Sequence, residues 1–180
     1  MATIKNAKKE NFELKKFKIK DGRVITDYSY KHDENIDKEK RFYPGVKVPL
    51  QPHPDLISLF GQLREYVLRD FYIDPTPENL AQIRINSISL HGEDDKKSVI
   101  ISSRFDTLHS KTVALNTGSI LLSGTDTGLE AEIDVIIDSI IDESFQYLFK
   151  GKRADPTLFE EKEEENISGL NNKPILQKVS

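Results

Sequence analysis

Apolar positions change their period several times along this chain. Phe12, Leu14, Phe17 and Ile19 alternate with polar residues and slip by one at Lys15-Lys16, which predicts a strand carrying a bulge. Asp21-Gly22 predicts a two-residue hairpin turn, because glycine supplies positive φ at little steric cost. The return strand sets Val24, Thr26, Tyr28 and Tyr30 on one face. The charged stretch from Lys31 to Arg41 reads as a long loop or an extended hairpin tip. Pro44, Pro49, Pro52 and Pro54 are expected to break any regular element across the next segment.

Helical spacing then takes over. Leu56, Leu59, Phe60, Leu63, Val67 and Phe71 predict an amphipathic helix over residues 54–71, ended by Asp74-Pro75-Thr76-Pro77. Pro54 suits its first turn, Asp55 favours the positive end of its dipole, and His53 stands at its entry, as N-cap or simply exposed. Ile83, Ile85, Ile88 and Leu90 mark a strand, followed by the polar turn His91-Gly92-Glu93-Asp94-Asp95. Val99, Ile101, Ser103 and Phe105 mark another, and residues 112–122 a third, interrupted near Asn116-Thr117-Gly118. A final helix opens on a capping box, Thr127 with Glu130, and buries Leu129, Ile133, Ile136, Ile137, Ile140, Ile141, Phe145 and Leu148. Gly151 is its natural C′ residue.

The order ββ-α-βββ-α predicts an α+β fold. Its sheet should be mostly antiparallel, of about five strands, with two helices on one face. Residues 1–11 read as a flexible basic arm, 12–155 as a single domain, and 156–180 as an acidic tail, around Glu160–Glu165, too polar to offset its ordering entropy. The isoleucine stripe of the last helix suits a homodimer or higher oligomer, or a buried core helix equally well.

Composition narrows the chemistry. The chain has no cysteine, which excludes a disulfide scaffold, a thiolate zinc site and a cysteine nucleophile. No apolar run reaches the roughly 18 residues of a membrane span. The lysine-bearing N-terminus has no apolar segment behind it, so the expected location is the cytoplasm. The net charge of −4 conceals an asymmetry: residues 1–50 carry 13 Lys+Arg against 8 Asp+Glu, whereas residues 51–180 carry 13 against 22. A basic arm on an acidic body can meet nucleic acid or the acidic part of a partner copy; a solvated strand with lysines on its open face is the plainer reading.

Motifs of catalysis are weak. Asp126-Thr127-Gly128 matches the aspartic-protease triplet, but that chemistry needs a second carboxylate and Thr127 already serves as a cap. His32, His53, His91 and His109 fall in no metal-ligand spacing, and neither phosphate-loop pattern nor nucleophile elbow occurs. Ser123-Gly124-Thr125-Asp126 leads into a helix start that favours anions, against which Glu130 and Glu132 work. The expectation is therefore a non-enzymatic protein without metal or cofactor. Lys15, Lys16, Lys18 and Lys20, beside Tyr28 and Tyr30, are its candidate nucleic-acid-binding residues, since cations next to aromatic faces suit sequence-tolerant binding of single strands. Lys152, Arg153, Leu158 and Phe159 are candidate partner-binding residues, the apolar pair either anchoring in a partner's pocket or folding back on the last helix.

Three segments carry a resemblance: Pro52-His53-Pro54-Asp55, Leu115-Asn116-Thr117, and Tyr147 through Gly151-Lys152-Arg153-Ala154 to Leu158-Phe159. Over roughly residues 12–159 the chain resembles an uncharacterised group of tailed-phage early proteins. The resemblance implies a setting of DNA recombination and single-strand binding in the cytoplasm of a bacterial host cell, with single-stranded DNA or a phage or host DNA-processing protein as partner. Related tails resemble Gln-x-x-Leu-Phe peptides that dock on the bacterial sliding clamp; here Asp155 stands where that Gln would. Two other functions fit the same sequence: an anti-defence protein sequestering a host immune protein or nucleotide signal, and a virion or assembly component.

Overall fold

The computed structural model describes residues 7–20, 22–32, 40–48, 51–92, 97–107, 111–122 and 129–152. β1 (Phe12–Lys20) and β2 (Arg23–Tyr30) form the expected antiparallel hairpin, in register from Phe12↔Tyr30 to Lys20↔Arg23 around Gly22 at φ +69°. The slip at Lys15-Lys16 is a bulge between Leu14 and Lys16. Past it, Phe17 and Ile19 return to the apolar face of Phe12 and Leu14, and Lys16, Lys18 and Lys20 take the other face. Thr26, fully buried, donates its Oγ1 hydrogen to the Lys16 carbonyl at 2.8 Å and ties the bulged strand to its neighbour.

Proline does not break residues 41–48. They form an edge strand, β3 (Arg41–Val48), paired with β2. Pro44 and Gly45 lie in a register shift, where Gly45, at φ +59°, gives its N–H to the Asp27 carboxylate at 2.6 Å. An edge strand with a bulge is where a sheet tolerates a residue lacking an N–H.

α1 (Pro54–Asp70) follows the apolar spacing, and His53 is its N-cap, Nδ1 accepting from the Asp55 N–H at 3.3 Å. A short helix not expected from the spacing, α2 (Pro77–Gln82), starts under a Thr76 cap and feeds β4 (Ile83–His91). β4 pairs with β1 through Lys16↔Ser89, Phe17↔Ile88 and Lys18↔Ser87, and with β5 (Ser98–Asp106) on its other side. The interrupted third strand becomes two short ones on the same edge, β6 (Thr112–Asn116) and β7 (Ile120–Leu121), both paired to β5. Between them buried Thr117 completes the ladder, giving its N–H to the Ile101 carbonyl and accepting the Ile101 N–H on Oγ1.

The sheet therefore runs β3-β2-β1-β4-β5-β6, with β7 beside β5, all pairs antiparallel. Among the described residues it has seven strands rather than about five. α3 (Leu129–Phe145) continues into a π turn, Gln146–Lys150, closed by Gly151 at φ +75°. α1 and α3 pack side by side on one sheet face, where Phe17 meets Phe60 at 5.7 Å and Phe12 meets Phe145 at 5.6 Å between ring centres. Each fully buried ring such as Phe17 contributes roughly 1.5–3 kcal/mol through lost water contact. Residues 7–11, expected in a loose arm, are held down: Ala7 is buried and its carbonyl accepts from Lys150 Nζ at 2.9 Å, while Lys9–Asn11 form a 3₁₀ turn.

Candidate nucleic-acid interface

The second sheet face carries no helix among the described residues, and strand alternation decides what it displays. Register makes one row across it: Lys47, Ile25, Lys18, Ser87, Ser102 and Asn116. At about 4.8 Å per strand that row spans roughly 24 Å. One step along the strands, Lys20 faces Arg23 on β2, and Arg84 faces Arg104 across β4 and β5. A register shift at Asn86 keeps Arg84 and Ser87 on the same side.

These side chains enclose a groove of about 650 Å³. Its floor is short and polar, Ser87 and Ser102 with Asn86; its walls are Lys16, Lys18 and Lys20 on one side and Arg84 and Arg104 on the other. Among the described residues its one lining carboxylate, Asp106, accepts from Thr112 Oγ1 at 2.7 Å and lies 3.8 Å from Arg84. No carboxylate among the described residues stands within ion-pair distance of Lys16, Lys18, Lys20 or Arg104. Like charges directly opposite each other destabilise a ladder, so the Arg84–Arg104 pair opposes folding and favours an anion laid between them.

The candidate residues divide. Lys16, Lys18 and Lys20 share the groove. Lys15 sits on the bulge, half-buried, and its ammonium is bonded to Glu13. Burial pushes the Glu13 carboxyl up, but bonds from Lys15 and Lys40 outweigh it and hold the group below the usual carboxylate range. Tyr28 and Tyr30 are corrected outright as a surface beside the lysines: both are core residues, 8% and 3% exposed. Their rings lie 5.6 and 5.0 Å from that of Phe149, because the face shared with Val24 and Thr26 is the helix-covered one. Burial, reinforced by neighbouring Tyr43, pushes the Tyr28 hydroxyl up. Register puts Phe42, 57% exposed, on the open face instead.

Lys152 is committed to two carboxylates, Asp55 and Glu143, each at 2.8 Å. Its bond, opposed by some burial and helped by His53, holds the Asp55 carboxyl low. Arg153, Leu158 and Phe159 lie outside the described residues, as do the acidic tail, the Asp126-Thr127-Gly128 triplet, Asp21, Thr127, His109 and the Glu130 side chain. His32 packs in the aromatic cluster, Nε2 2.6 Å from the Tyr43 hydroxyl. Among the described residues no cluster of three His, Cys, Asp or Glu could hold a metal ion, and no helix is long and apolar enough to cross a membrane.

The helix side has the opposite charge. A cleft of about 550 Å³ between α1 and α3 is lined by Glu65, Tyr66, Glu132 and Val135 among others. The Tyr66 hydroxyl donates to Glu132 Oε2 at 2.6 Å across it.

Arg23, Lys47, Phe42, Arg84, Arg104, Ser87 and Ser102 escape a sequence reading. Alternation already assigns Arg84, Ser102 and Arg104 to the off-core side of their strands, but only the β1–β4 pairing brings them to the lysines. No family model, no curated protein and no solved structure matches the chain.

Proposed function

We propose that this chain is a binding protein of nucleic-acid metabolism that holds single-stranded DNA along the open face of its sheet. The observation that carries the reading is the groove itself: five cations on two walls over a floor of serines, with one carboxylate among the described residues to answer them. Short hydroxyls let a phosphate chain approach the sheet closely, and the long cations close on it from both sides. Exposed Phe42, on the same face, offers one base a stacking partner. A rigid duplex presents its phosphates on a convex rod, which suits a narrow trough less well. The phage setting rests on the three resembling segments alone.

A second reading uses the same volume. About 650 Å³ lies within the range of small-ligand pockets, so the groove also suits a short nucleotide signal, as an anti-defence sequestering protein requires.

Fluorescence anisotropy with labelled single-stranded and duplex oligonucleotides, at low and moderate salt, tests the first reading. Wild type is expected to bind the single strand with steep salt dependence, and a Lys18→Glu/Arg104→Glu variant with unchanged circular dichroism to lose at least about tenfold. Absence of binding at low salt overturns it. Thermal stabilisation by di- and trinucleotides, without affinity for long strands, selects the second reading.

A further inference from the structure

We propose that the acidic segment Glu160–Glu165 docks on the same groove in the absence of nucleic acid and competes with it. The inference rests on the reading of the groove as an anion site. Three observations carry it. Lys16, Lys18, Lys20 and Arg104 have no carboxylate partner among the described residues, while this stretch holds five glutamates and one lysine. The last described residue, Lys152, is also linked to the groove's lysine end through the start of α1. Lys152 is bonded to Asp55 at 2.8 Å, four residues after Gln51. The Gln51 side chain lies 3.5 Å from where a Cβ on Gly22 would stand, in the turn between Lys20 and Arg23.

Reach is sufficient. Four residues from Gln51 to Asp55 separate their Cα atoms by at most about 15 Å, the Lys152–Asp55 and Gln51–Gly22 side-chain links add roughly 10 Å each, and the thirteen residues 153–165 extend to about 45 Å. A tethered segment meets its site at millimolar effective concentration, so even a weak charge match is populated. The two ligands share one chemistry, negative groups along a flexible chain, and so exclude each other. Apparent affinity for a single strand then falls by the fraction of grooves left open.

The test uses the full chain. In a variant with Glu160, Glu161, Glu163, Glu164 and Glu165 all changed to Gln, single-strand affinity at low salt is expected to rise roughly tenfold, as it does if nine grooves in ten are occupied. Zero-length carbodiimide cross-linking without DNA should join Lys18 or Lys20 to the 160–165 peptide, and moderate salt should suppress it. Mixing isotope-labelled with unlabelled protein separates the sources, because intramolecular docking gives no mixed-label products. Unchanged affinity in the glutamine variant, missing cross-links or chiefly mixed-label cross-links each overturn the proposal. Cross-linking is read without nucleic acid, so a protein that cross-links as expected but binds no DNA refutes the DNA reading and leaves the docking standing.

Discussion

Tyr72 holds a left-handed backbone, φ +55°, with its side chain 99% exposed. The end of α1 demands that conformation: Ile73 N–H returns to the Leu68 carbonyl and Tyr72 N–H to the Arg69 carbonyl, which places Tyr72 at the usual glycine position. A Cβ there costs about 1–2 kcal/mol, partly offset by the unfolded-chain entropy a glycine would add. Tyr72→Gly is expected to stabilise the protein by about 0.5–1 kcal/mol, seen as a higher urea midpoint at unchanged slope. Tyr66 poses a pH question. Burial first, then donation to Glu132, pushes its hydroxyl up to about 12 from an ordinary value near 10. A raised value means the neutral form is favoured in the folded state, so this contribution is whole below pH 10 and disappears as pH climbs to about 12. Phenolate difference spectroscopy should show the late-titrating signal, to which Tyr28 also contributes, smaller by one tyrosine in Tyr66→Phe, whose stability should fall less across that window.

At the scale of elements, periodicity was legible wherever one face is buried. The β1 bulge, both long helices and the strands of residues 83–106 follow from apolar spacing, because burial selects one register. β3 was not, since Val48 is its sole buried residue and Pro44 within it, with Pro49 just after, speaks against a strand. Its partner β2 and the Asp27–Gly45 bond stabilise it from a distance that local spacing does not record. Its amides are expected to exchange with deuterium well before those of β1 and β4, each flanked on both sides; equal protection would mean the edge is covered. The π turn also breaks the rule. A regular helix puts Leu148 in the stripe, but the wider turn leaves it half-buried and inserts Tyr147 and Phe149, 1% and 5% exposed. Phe149 meets the rings of Phe12, Tyr28, Tyr30 and Phe145, so Phe149→Ala should lower the unfolding free energy by about 3–5 kcal/mol in a denaturant titration.

For the whole molecule, folding separates charge in a way the chain's halves only foreshadow. The basic excess of residues 1–50 becomes one wall of a groove whose other wall, Arg84 and Arg104, comes from the acidic remainder. Half of the site was legible, because Lys16, Lys18 and Lys20 are local to one strand; the other half needs a pairing between residues some seventy apart. Salt dependence can tell the two descriptions apart. The four groove cations that no described carboxylate answers predict a log–log slope near −2.8 on a single strand, at about −0.7 for each phosphate neutralised. Removing one groove charge, as Arg104→Gln or Lys18→Gln, should flatten the slope by about 0.7 each. Lys15→Gln should leave it unchanged, because that ammonium is already spent on Glu13 at the bulge. A ribbon of consecutive strand lysines makes the reverse prediction, with Lys15 counting and Arg104 silent. Slopes for these three variants therefore decide whether an anion follows one strand or lies between two.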